Sequence, residues 1–165
     1  MAVDVLTRCR DLLAGVTPME TDCGLLCGAA CCSSLPGEET GMLLFPGEEA
    51  LAPLPAGWRI LDTQAGKLLV CDSRCDRRNR PLSCRLFPLL PLIRGDAIKV
   101  AVDARARAVC PMAAAGTKGC SQRFVDAVRQ CGQWLREDSE QRDFLLNLTR
   151  AHDALRDLQR AFGGG

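Results

Sequence analysis

Residues 22–32 read Asp-Cys-Gly-Leu-Leu-Cys-Gly-Ala-Ala-Cys-Cys, which puts Cys23, Cys27, Cys31 and Cys32 in one short run. If this run is helical, steps of four bring Cys23, Cys27 and Cys31 onto one face, because about 3.6 residues make a turn. Three thiols on one face can converge on one ion. Adjacent Cys31 and Cys32 point in different directions, so one of them serves a second metal or the helix ends there. Gly28 leaves room for the backbone to approach a cluster closely.

Working outward, a second group follows in Cys71, Cys75 and Cys84, with Cys110 beyond a predicted hairpin. Two groups so far apart meet only if the fold joins them, and a bound metal then closes a long loop and adds directly to folding energy. An all-cysteine set suits zinc or iron–sulfur rather than magnesium, calcium or manganese. The spacing is neither that of paired CxxC zinc knuckles nor that of a ferredoxin run. Eight candidate thiolates exceed one tetrahedral shell, which allows two sites.

Zinc held by four thiolates is a dianion, costly to bury without compensation. Arg74, Arg77, Arg78, Arg80 and Arg85 surround the second group and could shield it. The alternatives are a solvated basic loop or a small nucleic-acid patch.

The chain has 165 residues and eleven cysteines, with a net charge of +1. A secreted disulfide scaffold is the first competitor. The N-terminus shows no basic segment followed by a long apolar run, the cysteine count is odd, and the length permits a core without staples. The expectation is therefore a cytoplasmic protein with reduced, ligating cysteines. No apolar run reaches membrane-spanning length. Near-neutral charge and 4% aromatic residues, with no Tyr, argue against nucleic acid as a partner.

Residues 3–15 keep helical spacing in Val5, Leu6, Cys9, Leu12 and Leu13. Residues 42–45 suggest a short strand, and 48–51 a helical turn. Residues 58–62 and 67–71 suggest two strands joined across Ala65-Gly66. Residues 89–93 and 97–102 suggest a hairpin with Gly95-Asp96 at its tip. Residues 110–119 read as loop. Residues 121–136 form a predicted helix with Phe124, Val125, Val128, Cys131 and Leu135 inward, and Ser139 is the expected cap of the last helix. Phe144, Leu148, Ala151, Leu155, Leu158 and Phe162 lie on one face of that helix. Packing on the domain's own core explains the stripe, and self-association is the competing explanation.

The resulting fold expectation is α+β: a small, metal-stapled single domain of short β-hairpins with a C-terminal helical pair. Residues 1–22 supply an N-terminal helix, 23–120 the cysteine-cluster metal-binding domain, and 121–165 helices packed on it. Cys9 and Cys131 fall at core positions and read as buried thiols. Cys120 reads equally well as ligand or core residue. His152, the one histidine, reads as a polar-face residue.

Three segments, Cys27-Gly-Ala-Ala-Cys31-Cys32, Arg80-Pro81-Leu82-Ser83-Cys84-Arg85-Leu86-Phe87-Pro88 and Cys110-Pro111, resemble the cysteine-cluster family known as CxxCxxCC or YkgJ-like proteins. That family is described as zinc- or iron-chelating, sometimes as iron–sulfur oxidoreductases, and includes relatives of flagellin lysine-N-methylase. The resemblance covers roughly residues 23 to 112, and RPxxCRxFP is its specific part. It departs at an extra Ala between Cys27 and Cys31 and at Asp76-Arg77. It implies Cys27, Cys31, Cys32, Cys75, Cys84 and Cys110 as ligands. Cys23 and Cys71 join them on spacing alone.

The leading functional expectation is a cysteine-ligated zinc or iron–sulfur protein. An enzyme reading gives such a cluster redox or group-transfer chemistry, with Arg80 and Arg85 holding an anionic cofactor or substrate. Glu48 and Glu49 could supply a carboxylate, though a surface helix turn explains them equally. The chain has no GxGxxG fingerprint or P-loop. The third reading is a metal-stabilised interaction or regulatory module that docks a protein partner, or a second copy, through the C-terminal helix.

Overall fold

The structure, a computed structural model, describes residues 2–20, 41–72 and 76–163. Helix α1 spans Ala2–Ala14, and its apolar positions Val5, Leu6, Cys9 and Leu13 face inward, as the spacing predicts. Strand β1, Gly41–Leu43, leads through a 3-10 turn at Glu48–Ala50 to β2, Arg59–Thr63, and β3, Gly66–Val70. The three strands form an antiparallel sheet in the order β1-β3-β2. Leu44, Trp58 and Leu69 form a small apolar cluster on it, with Ile60 and Cys71 alongside.

A 3-10 turn at Arg77–Asn79 precedes α2, Leu82–Leu86, a five-residue helix inside the second cysteine group. Strands β4, Leu89–Arg94, and β5, Ala97–Val102, pair antiparallel, with Gly95 at φ 60° in the turn, a value that favours glycine. Residues 104–108 form a 3-10 turn, and 111–119 form another in place of the expected loop, interrupted at Gly116. Two long helices close the chain, α3 at Gln122–Glu137 and α4 at Ser139–Phe162.

Leu89 to Ile93 are buried without interruption, so β4 reads as a continuous apolar run rather than an alternating one. Helices α3 and α4 both pack on this strand. Gly132 makes the α3 approach possible, since a Cβ there would lie 2.7 Å from both Ile98 Cγ2 and Pro91 Cβ. On the strand's other edge, the Ile93 N–H donates to Thr149 Oγ1 of α4 at 3.2 Å, so a helix side chain completes the edge.

Helices α1 and α3 run antiparallel. Arg8 stacks on the Trp134 ring at 4.3 Å, Cys9 meets Cys131, and the Ser121 N–H donates to the Pro18 carbonyl at 2.8 Å. Partners fall along α3 as numbers rise along α1. The main core therefore draws on both ends of the chain, with Leu6, Phe45, Leu82, Phe124, Leu135 and Leu145 among its buried members.

Two sequence expectations need correction here. Ser139 is the first residue of α4, and its cap is Asp138, whose carboxylate accepts from the Glu140 and Gln141 N–H groups. His152 is not on a solvent face: it is 8% exposed, and its Nδ1 accepts the Ala104 N–H at 3.3 Å. The Ala104 carbonyl in turn accepts from Gln159 Nε2 at 2.9 Å, so α4 holds the first residue of the 104–108 turn by both its N–H and its carbonyl. Among the described residues, no helix is long and apolar enough to cross a membrane.

Candidate metal centre

Three proposed ligands fall within the described residues: Cys71, Cys84 and Cys110, each partly exposed. Cys71 follows β3 and borders the Leu44–Trp58–Leu69 cluster. Cys84 stands on α2, where the Ser83 hydroxyl donates to the Leu43 carbonyl and ties the helix to β1. Arg105 lies close enough to Cys84 for a charge interaction. Cys110 opens the 111–119 turn, its N–H donating to the Ala106 carbonyl at 2.8 Å and its carbonyl accepting from Ala113 at 3.1 Å.

Among the described residues, no group of three or more Cys, His, Asp or Glu side chains is placed to hold a metal ion. Cys71, Cys84 and Cys110 by themselves therefore do not fit a metal. Cys23, Cys27, Cys31, Cys32 and Cys75, like Arg74, lie outside the described residues.

Chain topology relates the first cysteine group to the second. Gly41 pairs with Val70, so the chain coming from the first group enters the sheet beside the residue preceding Cys71. At the other end of that stretch, the Pro18 carbonyl accepts from Ser121, the neighbour of Cys120. Cys120 is buried at the edge of the main core.

The arginines of the second group are largely occupied with the protein itself. Arg85 donates from Nε to the Arg80 carbonyl at 2.9 Å, from Nη1 to the Arg10 carbonyl at 3.2 Å, and from Nη2 to the Arg78 carbonyl at 2.9 Å. It is thus a clasp between α1, the 77–79 turn and α2. Burial lowers its pKa, and neighbouring Arg10, Arg77 and Arg80 lower it further, against a partial offset from Glu48. Arg78 pairs with Asp76 at 2.7 Å, and this hydrogen bonding lowers the Asp76 carboxyl to about 2. Arg80 ends the 77–79 turn, its N–H donating to the Arg77 carbonyl at 3.3 Å.

Glu48 is a residue the sequence reading underestimated. It is the first residue of the 48–50 turn, but it is only 4% exposed. Its Oε1 accepts from Arg10 Nη1 at 3.0 Å and from the Leu82 N–H, and its Oε2 accepts from the Phe45 N–H at 3.1 Å. Burial raises its pKa, while the Leu82 and Phe45 N–H groups and Arg10 pull it back. The carboxylate joins α1, the 45–48 turn and the start of α2, and so holds the helix that carries Cys84. Neighbouring Glu49 is exposed.

Comparison with protein-family models, with curated proteins and with solved structures finds no match to this chain.

Proposed function

We propose that this chain is a cysteine-ligated metal protein that holds zinc or an iron–sulfur cluster between its two cysteine groups, with redox or group-transfer chemistry as the activity such a centre would carry. The observation that carries the reading is the β1–β3 register, which returns the chain from the Cys23–Cys32 stretch to the sheet beside Cys71. Cys84 stands on a helix tied to the same strand. A second support is the contrast in burial: the described candidate ligands Cys71, Cys84 and Cys110 are partly open, whereas Cys9 and Cys131 are sealed in the core. The CxxCxxCC-like motifs agree with this division of roles.

Anaerobic purification followed by metal analysis and an optical spectrum tests the reading. Stoichiometric zinc in a colourless protein, or iron with sulfide and visible thiolate-to-iron absorption, is the expected result. Protein that carries neither sinks it.

A second reading, an interaction module docking through the C-terminal helix, rests on one observation. The apolar stripe of α4 packs on the core at Phe144 and Leu148, yet Leu158 is 56% and Phe162 86% exposed. The double variant Leu158→Gln with Phe162→Ser, compared with the parent by sedimentation, tests it. An associated parent that becomes monomeric supports docking, and a parent that is monomeric at all concentrations removes support for self-association.

A further inference from the structure

The contact between α1 and α3 contains two thiols that the metal reading leaves unused. Cys9 and Cys131 are 122 residues apart, and both are 0% exposed. Each sulfur donates to the other residue's backbone carbonyl at 3.8 Å. The arrangement is reciprocal and sits midway along the antiparallel helix pair, between the Arg8–Trp134 stack and the Ser121–Pro18 hydrogen bond. A buried cysteine usually serves as a small hydrophobe, and one such residue needs no further account. Two thiols meeting across a helix interface are different, because a disulfide requires side chains already facing each other at short range.

We propose that Cys9 and Cys131 are a redox pair that closes into a disulfide between α1 and α3 when a low-molecular-weight disulfide, such as oxidised glutathione, is in excess. Local opening of α1 gives the reagent access, as it does for buried groups generally. The Cys9 thiolate attacks one sulfur of the reagent. A Cys9–sulfur bond forms, the reagent's S–S bond breaks, and the departing thiolate takes up the proton that Cys9 released. When α1 closes, Cys131 gives up its proton and attacks the Cys9 sulfur. The Cys9–Cys131 bond forms and the second small thiol leaves with that proton. The two protein thiols lose two electrons, and the reagent gains them as two thiols. The mutual hydrogen bond and burial raise the Cys131 thiol's pKa in the closed state. Thiolate is the reactive form, so the reaction is slow while the helices stay packed.

The test uses the full chain as purified. It is oxidised under native conditions with oxidised glutathione, remaining thiols are alkylated in denaturant, and tryptic peptides are mapped by mass. The expected product joins peptide 130–136, which holds Cys131, to peptide 9–10, which holds Cys9. Its mass is lower than that of the two thiol peptides together by two hydrogens. The oxidised protein should unfold at a temperature higher by about 5 °C or more, because the new bond closes a long loop. Cys131→Ser should abolish the product. The peptide map of the parent decides the question even if that variant fails to fold. Recovery of both cysteines as alkylated thiols, or of either joined to a different cysteine, overturns the proposal. Metal content measured on the purified protein before oxidation keeps the two claims apart. The Cys9–Cys131 link in metal-free protein counts only against the metal reading, and metal with both thiols alkylated counts only against the redox pair.

Discussion

Glu48 shows how much one side chain can hold together in a small domain. Three N–H donors from three elements meet on its carboxylate. Glu48→Ala leaves two backbone N–H groups and the Arg10 guanidinium without that acceptor, with an expected loss of about 3 kcal/mol in denaturant unfolding. Loss of less than about 1 kcal/mol would show that water replaces the carboxylate. Nothing local distinguishes Glu48 from Glu49, since its partners Leu82 and Arg10 are 34 and 38 residues away. His152 escaped prediction for the same reason. Burial lowers its pKa below 6.5, and Arg156 and Arg94 add to this, while Asp103 and Asp153 work in the opposite direction. The native state thus binds its proton less readily than the unfolded chain does. The neutral ring's contribution is present above pH 6.5 and is lost as pH falls through the depressed native value. Unfolding free energy measured between pH 7.5 and pH 5 should therefore decline for the parent. His152→Asn keeps an acceptor for the Ala104 N–H without a titrating group, and should flatten that decline.

At the scale of elements, periodicity and turn residues carry most of the information. The β4–β5 hairpin follows the predicted ranges to within a residue because two apolar runs flank the Gly95 turn. β2 and β3 also match to within a residue at each end. Helix α2 was invisible, because five residues give no helical period and its start depends on Glu48 capping the Leu82 N–H. The pairing of β1 with β3 was equally hidden, since register between separated strands is a tertiary choice. Close packing gives a sharp prediction at this scale. Gly132→Ala pushes a methyl group into Ile98 and Pro91, and should cost about 1–3 kcal/mol in denaturant unfolding. A neutral result would mean that α3 can lift from the hairpin. Ser121 accepts the Phe124 N–H at 3.2 Å as the cap of α3. Ser121→Ala should cost about 1 kcal/mol by the same measurement.

For the whole molecule, the α+β layout was legible, with its small hairpins and C-terminal helix pair. Cysteine spacing was less informative, because it lists candidate ligands without placing them in the fold. Removing metal from purified protein with a chelator should lower the unfolding temperature, and re-addition should restore it. An unchanged melting curve after verified metal loss would confine the ion to a role outside folding. The packing of α1 against α3 has a consequence for how the chain is made. Helix α1 finds its main partner only after residues near 135 have been added. At about 5–20 residues per second, that interval lasts roughly 6–25 s. Throughout it, the greasy side of the newborn helix, Leu6 and Leu13 included, lacks its native cover and is exposed to holding chaperones or to neighbouring nascent chains.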